Sequence, residues 1–345
     1  MRITFLKLLM PVRVGLVGTG YAAKLRAQAF SSDDRSALVA VCGHTIESAT
    51  AFASNYSAQA YSNWTDLVES DLDLVVIATV NRDHEAIARA ALRAGKHTIV
   101  EYPLAMNVAA ATELIDLAQV RQKLLHVEHI ELLSGIHQTL MRELPQVGTP
   151  FYARYASINP QRPAPAKWTY QPALFGFPLI GALSRIHRLT HIFGTVDSVS
   201  CEARFWRNSP DREAIREPNR ELEEPDCYTS CLCTALLRFT SGLVAEVVYG
   251  KGEALWQAER SLVVQGERGA LILDTDKGVL IQAEGERSLD MGTRRGLFAK
   301  DTSNVLDYLA TGAPLYVSPA SSLYALKVAE AAKRSAETGK AIDLR

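Results

Sequence analysis

Short apolar runs alternate with longer amphipathic stretches over the first third of the chain. The runs are VRVGLV (12–17), LVAVCG (38–43), LDLVVIAT (72–79), HTIVEY (97–102) and KLLHVEHI (123–130). The intervening segments have helical character and read AAKLRAQAF, TIESATAFASNY, HEAIARAALRAG and AAATELIDLAQVRQ. Continuous apolar strands separated by helices predict a parallel sheet with helices on both faces.

The pattern changes after about residue 130. Strands with turns between them are predicted at 151–158, 196–206, 228–239, 242–250, 260–266 and 270–275. The trios Thr240-Ser241-Gly242 and Glu267-Arg268-Gly269 predict hairpin turns. This part of the chain therefore predicts a large, mostly antiparallel sheet.

Helical stretches interrupt and follow these strands, at 129–143, 178–193 and about 301–338. The polar, proline-marked segment 208–226 predicts a surface loop. We therefore predict an α/β fold with two domains. Residues 1–128 form a Rossmann domain with a parallel sheet. Residues 129–345 form an α+β domain with an open, mostly antiparallel sheet, onto which the C-terminal helix packs back.

Composition limits the partners and the compartment. A net charge of −1 over 345 residues favours neither nucleic acid nor an anionic membrane, and no segment approaches the roughly 20 apolar residues of a membrane span. Five cysteines are too few and odd in number for a disulfide framework, so we expect a cytoplasmic protein. The start, MRITFLKLLM, lacks a small-residue cleavage site. A signal peptide is therefore the weaker interpretation, and translation from Met10 is an alternative start.

A glycine-rich turn follows the first predicted strand and opens a helix. Gly18-Thr19-Gly20-Tyr21-Ala22-Ala23 matches the G-x-G-x-x-G/A pattern of dinucleotide-binding sites. Gly18 permits the tight turn, Gly20 lets a pyrophosphate approach the backbone, and Ala23 lets helix and strand pack closely. An ordinary glycine turn is the alternative, but the strand–turn–helix context favours dinucleotide binding.

The end of the second strand indicates which dinucleotide binds. An NAD site usually has an acidic residue here to hold the ribose hydroxyls, whereas this chain has Gly43, His44 and Thr45. Since no carboxylate stands there to repel a 2′-phosphate, NADPH is predicted over NADH. Gly43 has the alternative role of simply serving a turn.

Two further segments carry a resemblance to the glucose–fructose oxidoreductase and inositol dehydrogenase superfamily. This resemblance extends over nearly the whole chain. Thr79-Val80-Asn81-Arg82-Asp83-His84 is similar to that family's turn after the third strand, and AGKHTIVEYP is similar to its AGKHV…EKP segment. The resemblance implies that Thr79, Asn81 and His84 contact the cofactor, although a helix-capping role for His84 is the alternative.

Two departures argue against a sugar dehydrogenase. The family's sugar enzymes have a lysine where this chain has Tyr102, and an Asp and a His on a helix that here reads GALSRIHRLTHIFG, without an acidic residue. Proton removal from a hydroxyl needs a base with a pKa near the working pH, and arginine is not one.

Glu101-Tyr102-Pro103 is instead similar to the corresponding segment of the biliverdin reductases. The chain resembles the cyanobacterial type of these enzymes across both predicted domains. The shared stretches include VRVGLVGTGYAA, LLHVEHIELLSGIHQ, KWTYQPALFGFPLIGALSRI, AEVVYGKGE and RRGLFAKDTSNVLDYLATGAPLYV. This resemblance implies NADPH-dependent hydride transfer to the central methine bridge of biliverdin, giving bilirubin.

That chemistry needs a planar apolar slot, cations for two propionates and a proton source. Arg185 and Arg188 lie at i and i+3 of a predicted helix, and guanidinium groups bind carboxylates and stack on π systems. Trp168 and Tyr170 are candidate walls of the slot. The alternative for the two arginines is a solvated helix face.

The proton source is left open between two groups. Arg185 is our first candidate beside the pyrrole nitrogens, where it orients a donor or stabilises developing charge, because its own pKa is too high to donate. Tyr102 is the alternative donor, or a support for the nicotinamide, or a packed strand end. Glu101 is expected to order the nicotinamide side.

No metal is predicted. His126, Glu128, His129 and Glu131 lie close in sequence, but their spacing does not make a tetrahedral set. Two rival functions remain: a sugar, polyol or other small-molecule oxidoreductase of the same superfamily, and a non-catalytic dinucleotide-sensing regulator. The oligomeric state does not follow from the sequence.

Overall fold

The computed structural model describes residues 10–207, 227–274, 277–293 and 295–345, which fall into two units. The first comprises the described residues up to Leu133 together with Arg295–Leu323, and the second comprises the rest. The initial MRITFLKL segment and the predicted loop at 208–226 lie outside the described residues. The chain thus leaves the first unit after Leu133 and returns to it from Arg295.

The strands of the described residues have the following bounds. They are β1 Val12–Val17, β2 Ser36–Cys42, β3 Gln59–Tyr61, β4 Leu74–Ile77, β5 His97–Val100, β6 Leu125–Val127, β7 Pro150–Pro160, β8 Val196–Trp206, β9 Ser230–Phe239, β10 Val244–Gly252, β11 Glu259–Gly266, β12 Gly269–Leu273, β13 Gly278–Gln282, β14 Gly285–Leu289 and β15 Ile342–Asp343.

The α-helices of the same residues are bounded as follows. They are α1 Tyr21–Ser31, α2 Ile46–Ala53, α3 Trp64–Glu69, α4 Asn81–Arg93, α5 Val108–Arg121, α6 Gly135–Glu143, α7 Pro172–Phe175, α8 Pro178–Gly181, α9 Ser184–Phe193, α10 Leu297–Thr311 and α11 Pro319–Thr338.

The first unit is built on a six-stranded sheet with the order β3-β2-β1-β4-β5-β6, all parallel. Every residue of β4 is buried, as expected for a central parallel strand covered on both faces. This order places the first β–α turn at the centre of the sheet, where doubly wound folds bind nucleotides. The predicted Rossmann fold is confirmed.

A helix from far along the chain completes the core of the first unit. Val305 and Leu306 of α10 are buried in one cluster with Leu16 of β1 and Phe30 of α1. Full burial of a side chain of this size contributes about 1.5–3 kcal/mol relative to exposure to water. Hydrophobic contact therefore fixes α10 beside α1, which also brings the polar residues of α10 close to those of α1.

The second unit contains a nine-stranded sheet with the order β14-β13-β12-β11-β7-β10-β9-β8-β15. Only β7 and β10 pair in parallel among these described strands, so the predicted mostly antiparallel sheet is confirmed. Both predicted hairpins form, since Thr240–Gly242 joins β9 to β10 and Glu267-Arg268 joins β11 to β12. The sequence prediction missed β13, β14 and β15. These strands are short, and most of β14 is exposed and polar.

The cysteines of the second unit belong to its core. Cys231 and Cys233 are both fully buried on one face of β9, which follows from their two-residue spacing. The chain's five cysteines are free thiols. In the part of the chain that the structure describes, no helix is long and apolar enough to cross a membrane.

Candidate functional site

The turn between β1 and α1 contains two glycines, and the absence of a side chain has a different effect at each. Gly18 has φ +121°, and a Cβ on it would lie 2.2 Å from the carbonyl oxygen of Ala78, so this backbone must approach β4 without a side chain. Gly20 precedes α1, and a Cβ there would meet nothing within 4 Å. The turn therefore leaves open space beside the amino end of α1, where unpaired N–H groups attract an anion.

The other residues of the turn divide between packing and exposure. Ala23 is fully buried in the core that includes Leu16, whereas the Tyr21 side chain is 81% exposed. A larger side chain at Ala23 would push α1 away from the sheet, so the small residue keeps the helix terminus near the strand ends. Thr19 and Ala22 complete the turn at half-buried positions.

Gly43 at the end of β2 is required by packing. A Cβ there would lie 2.5 Å from the hydroxyl of Ser48 and 2.8 Å from the backbone nitrogen of Ala49. Gly43 thus allows the end of β2 to pack closely against α2. Thr45 is the N-cap of α2 and accepts a hydrogen bond from the Ser48 N–H at 3.2 Å, while His44 is exposed.

A carboxylate that the sequence reasoning did not consider lies near this edge. Glu47 is in the first turn of α2 and is exposed. It accepts hydrogen bonds from its own backbone N–H and from the Thr45 hydroxyl, and these hold the pKa of Glu47 below its ordinary value. Its charge therefore interacts with the amino end of α2, while the side chain stays exposed to solvent.

His84 links the turn after β4 to the segment after β5. Its Nδ1 lies 2.8 Å from the carbonyl oxygen of Pro103 and its Nε2 lies 3.3 Å from that of Thr79. Burial lowers the pKa of His84, so the ring is neutral and donates to one carbonyl at a time. His84 and the neighbouring Asn81 are both buried, and the imidazole holds the turn after β4 and the segment after β5 together.

A buried ionic network, missed from the sequence, anchors Glu101. The Nε of Arg26 lies 2.8 Å from a Glu101 oxygen, and an Nη of Arg26 pairs with Asp301. Asp301 also lies 2.7 Å from Nε2 of His126 and accepts from the hydroxyl of Tyr316 at 2.7 Å. Burial alone would raise the pKa of Asp301, but Arg26 and His126 hold it well below its usual range.

Tyr102 and Glu128 lie at the side of this network. The Tyr102 ring stacks on the ring of His129, with centroids 5.7 Å apart and planes 8° apart, and His129 Nε2 lies 2.9 Å from the Ser322 hydroxyl. Burial, followed by the charge of Glu101, raises the pKa of Glu128 well above its ordinary value. Within the described residues, no group of three or more His, Cys, Asp or Glu side chains is placed to hold a metal ion.

The second unit contains a cavity of about 690 Å³ on one face of its sheet. Alternate positions of adjacent strands supply the wall, because Ser157 of β7 is paired with both Tyr249 of β10 and Arg260 of β11, and Asn159 is paired with Lys251. All five side chains line the cavity. Three neighbouring strands thus bring together residues that are about 100 positions apart in the sequence.

Arg185 and Arg188 have different environments despite sharing α9. Arg185 lines the cavity, with Nη2 3.4 Å from the Ser157 hydroxyl and its guanidinium carbon 5.4 Å from the Tyr249 ring centroid. Arg188 is 1% exposed and lies 5.4 Å from the ring centroid of Tyr155. It does not line the cavity. The alternative that both arginines form a solvated face does not fit these positions.

Trp168 and Tyr170 lie on a short 3-10 helix behind the cavity wall. The Tyr170 hydroxyl donates to the side-chain oxygen of Gln161 at 2.6 Å, and the ring is 3% exposed. The Trp168 ring packs edge-on against Phe175, with centroids 5.7 Å apart. Neither aromatic residue is among those that line the cavity.

Lys251 is the functional candidate that the sequence reasoning missed in this unit. The side chain is 5% exposed and lines the cavity, and its Nζ lies 4.5 Å from the centroid of the Tyr170 ring. The available signal in the stretch AEVVYGKGE was a lysine two residues after Tyr249, at a position that alternates with Val247 and Tyr249 along the strand. Charged residues at such positions are rarely buried without a partner.

Comparison with known proteins identifies a family. The sequence model of an oxidoreductase family, with an NAD-binding Rossmann fold, matches residues 12–129. The model of the C-terminal alpha/beta domain of the same family matches residues 145–344. The two matches together cover most of the chain.

Individual relatives agree with this assignment. The crystal structure of biliverdin reductase from Synechocystis sp. PCC 6803, in complex with biliverdin and NADP⁺, is 48% identical with a TM-score of 0.88, covering 95% of this chain and 99% of that one. Biliverdin reductase A of Mus musculus is 31% identical over 187 residues, which are 54% of this chain and 60% of that protein. The resemblance stated from the sequence is therefore confirmed.

A more distant structure shows the fold alone. UDP-N-acetylglucosamine 3-dehydrogenase from Acidithiobacillus ferrooxidans is 19% identical with a TM-score of 0.75, covering 95% of this chain and 99% of that one. The two-domain architecture is thus shared with an enzyme that, by its name, acts on a different substrate. Fold by itself does not choose between such substrates.

Proposed function

Since the chain belongs to the GFO/IDH/MocA oxidoreductase family, we propose that it is an NADPH-dependent biliverdin reductase, which converts biliverdin to bilirubin. The observation that carries this proposal is the 48% identity, across 99% of its length, to a biliverdin reductase whose structure contains biliverdin and NADP⁺. The free cysteines fit a cytoplasmic location, which is part of the proposal.

The first unit is proposed to hold the cofactor. The turn from Gly18 to Ala23 fits a pyrophosphate, because Gly18 brings the backbone against Ala78 and Gly20 leaves the approach open. When bound, NADPH supplies the hydride that the reduction requires. The chain contributes N–H groups at the amino end of α1, through Thr19, Tyr21 and Ala22, that neutralise the phosphate charge.

The end of β2 is proposed to accept the 2′-phosphate of NADPH. His44 is exposed, and Thr45, as the N-cap, positions the amino end of α2 with its backbone N–H donors at the same edge. The carboxylate of Glu47, which would repel a phosphate, is hydrogen-bonded to its own backbone N–H and to Thr45. Gly43 contributes by letting the strand end pack against α2 without a side chain.

The nicotinamide side is proposed to consist of Thr79, Asn81, His84, Glu101 and Tyr102. Glu101 is held by Arg26, and His84 is held between two carbonyl oxygens. Both side chains therefore keep fixed positions beside the proposed nicotinamide site. Tyr102 occupies the position of the lysine of sugar dehydrogenases. Its stacked partner His129 keeps the phenol ring in place. An unassisted phenol is a poor base for removing a proton from an alcohol at neutral pH, which fits a reaction without such a step.

The cavity of the second unit is proposed to bind the substrate. Biliverdin has two propionates and a flat conjugated system, and Arg185 and Arg260 present cations in the cavity wall beside the ring of Tyr249. Guanidinium groups bind carboxylates through two parallel hydrogen bonds and also stack on π systems. Arg188, Trp168 and Tyr170 are proposed to act from behind the wall, by holding α9 and the aromatic layer in place.

A colour assay tests the proposal. Purified protein, NADPH and biliverdin are mixed between pH 5 and pH 8. We expect the red-absorbing green pigment to disappear as yellow absorption grows, one pigment reduced per NADPH oxidised. No colour change across this range, with NADPH still bound tightly, would favour a dinucleotide-sensing regulator. Oxidation of a sugar or polyol with reduction of NADP⁺ would favour the sugar-enzyme alternative.

A further inference from the structure

Lys251 is a buried ammonium group placed in the wall of the cavity by strand register. Lys251 and Tyr249 lie two residues apart on β10, so they project from the same face of the sheet. Their partners on β7, Asn159 and Ser157, line the same cavity. The side chain is 5% exposed, which is rare for lysine and indicates a specific role for its charge.

The surroundings of the ammonium are aromatic. The Lys251 Nζ lies 4.3 Å from the centroid of the Phe175 ring, 4.5 Å from that of Tyr170 and 5.4 Å from that of Tyr228. It also donates a hydrogen bond to the carbonyl oxygen of Thr169, which is its one acceptor among the described residues. Since an ammonium has three N–H donors, this hydrogen bond uses one of the three.

The buried position of Lys251 changes the acidity of its ammonium group. Burial lowers the pKa of Lys251 to about 8; the Cys231 thiol partly opposes this effect, and the Arg185 guanidinium adds to it. The titratable and charged groups that surround it or line the same cavity are Tyr170, Arg185, Tyr228, Cys231, Cys233, Tyr249, Glu259, Arg260, Asp274 and Lys277. At neutral pH the amine is mostly protonated, and it exchanges its proton readily.

We propose that Lys251 is the acid of the cavity and supplies the proton that reduction of the pigment consumes. This inference rests on the proposed function. Two electrons and a hydrogen arrive as the hydride from NADPH and form a C–H bond at the central methine carbon. An N–H bond of the Lys251 ammonium breaks as the imine-type nitrogen of the conjugated system gains that proton. The neutral amine then regains a proton from water.

Arg185 is suited to a different task. A guanidinium does not release its proton in this pH range, so Arg185 binds a propionate or stabilises charge and leaves proton transfer to its neighbour. The two cations approach the same ring, because Arg185 Cζ lies 5.4 Å and Lys251 Nζ 6.0 Å from the Tyr249 centroid. Arg185 thus carries the permanent charge, and Lys251 carries the charge that changes with protonation.

The test compares Lys251→Met and Lys251→Arg with the natural chain in the colour assay. We expect kcat of the natural chain to fall above about pH 8, as the ammonium is lost. Lys251→Met should lower kcat on the order of 100-fold, the usual contribution of a general acid. Lys251→Arg should lower kcat about tenfold or more and remove the decline above pH 8, because a guanidinium stays charged.

Two controls separate this role from loss of structure. Lys327→Met changes an exposed lysine of the second unit and should leave kcat and its pH profile unchanged. In cofactor-free protein, a ¹³C-lysine chemical-shift titration should show a group near pH 8 that is absent from Lys251→Met. Far-UV circular dichroism and NADPH binding report whether each variant is folded.

The outcomes are distinguishable. If the natural chain does not reduce biliverdin, the proposed function fails and this inference falls with it. If the natural chain turns over but Lys251→Met keeps kcat and the decline above pH 8, the inference alone is overturned. A rise in KM with unchanged kcat would also overturn it, by assigning Lys251 to carboxylate binding.

Discussion

Arg26 in the first unit and Lys251 in the second unit are both buried cations, and their charges are satisfied in opposite ways. Arg26 in the first unit is fully buried and contacts two carboxylates, Asp301 and Glu101. Lys251 in the second unit is nearly as buried, but aromatic rings and one carbonyl oxygen surround it. One cation is neutralised within the protein, and the other keeps its charge for the cavity.

The pKa directions express this difference. Burial lowers the pKa of both groups, but the charges of Asp301 and Glu101 raise that of Arg26 above its ordinary value, so it never deprotonates. For Lys251 the opposing effect of the Cys231 thiol is smaller than the effect of burial, and the pKa of Lys251 falls to about 8. A buried cation with carboxylate partners is a structural element, whereas one without them is available for chemistry.

Removing the charge of Asp301 should have the largest effect on stability. Asp301→Asn leaves Arg26 with Glu101 as its remaining partner, and breaking a buried ion pair costs about 3–5 kcal/mol in the free energy of unfolding. Urea denaturation at pH 7 measures this loss. Asp307→Asn on the same helix α10 is the matched control, because its exposed pair with Arg35 is worth about 0–1 kcal/mol.

The same variant has a defined pH dependence. The pKa of Asp301 is lower in the folded protein than its usual value of 3.8, so its contribution is present above that pH and is lost as the pH falls below it. The difference between Asp301→Asn and the natural chain should therefore shrink below about pH 4. A difference that stays constant down to pH 3 would contradict the assigned role of the carboxylate.

Arg185→Ala should give the next largest effect and tests the cavity side of the comparison. Loss of a positioned charge at a reaction site lowers kcat by about 100-fold, which corresponds to about 2.7 kcal/mol. NADPH affinity should be unchanged, as measured by fluorescence titration. Arg238→Ala, an exposed arginine of β9, is the control. A fall in NADPH affinity without a fall in kcat would place Arg185 in cofactor binding.

The nucleotide edge of the first unit offers a charge test that avoids the buried network. His44→Asp should weaken NADPH relative to NADH by about tenfold, or about 1.4 kcal/mol, through repulsion of the 2′-phosphate. Gly43 is unsuited to this test because a Cβ there would lie 2.8 Å from the nitrogen of Ala49. Gly43→Ala is therefore the steric control and should weaken both cofactors equally. If His44→Asp weakened the binding of NADPH and NADH equally, this edge would not contact the 2′-phosphate.

Glu128→Gln should give the smallest change in the free energy of unfolding. It extends the comparison to a buried acid on which the effect of burial exceeds that of the nearby cation. The pKa of Glu128 is raised in the folded protein, so its contribution to stability is present below its usual pKa of 4.5 and is lost as the pH rises. The slope is at most about 1.4 kcal/mol per pH unit, and Glu128→Gln should remove it. Urea denaturation at pH 5, 6 and 7 measures the slope, with exposed Glu69→Gln as the control.

Sequence reasoning was sufficient where the relevant contacts are local. The run 12–17 followed by Gly18-Thr19-Gly20 predicted the nucleotide turn, because strand periodicity and the backbone freedom of glycine are properties of neighbouring residues. It was insufficient for β3 and β14, whose short segments carry little hydrophobic signal, and for β13, which has five residues only. Glu47 was overlooked because its effect depends on which way a side chain turns, and spacing does not give this.

The sequence by itself determined most strands and helices in their order, the Rossmann turn and the two kinds of sheet, because these follow from hydrophobic period and turn chemistry over a few residues. The family was indicated by the resemblance of longer stretches such as AGKHTIVEYP. Only the tertiary structure decided that Arg26 meets Asp301, 275 positions away, and that Lys251 lies among Phe175, Tyr170 and Tyr228. Such contacts depend on helix packing and on the pairing of distant strands, because a one-residue change of register would turn Lys251 to the other face of its sheet.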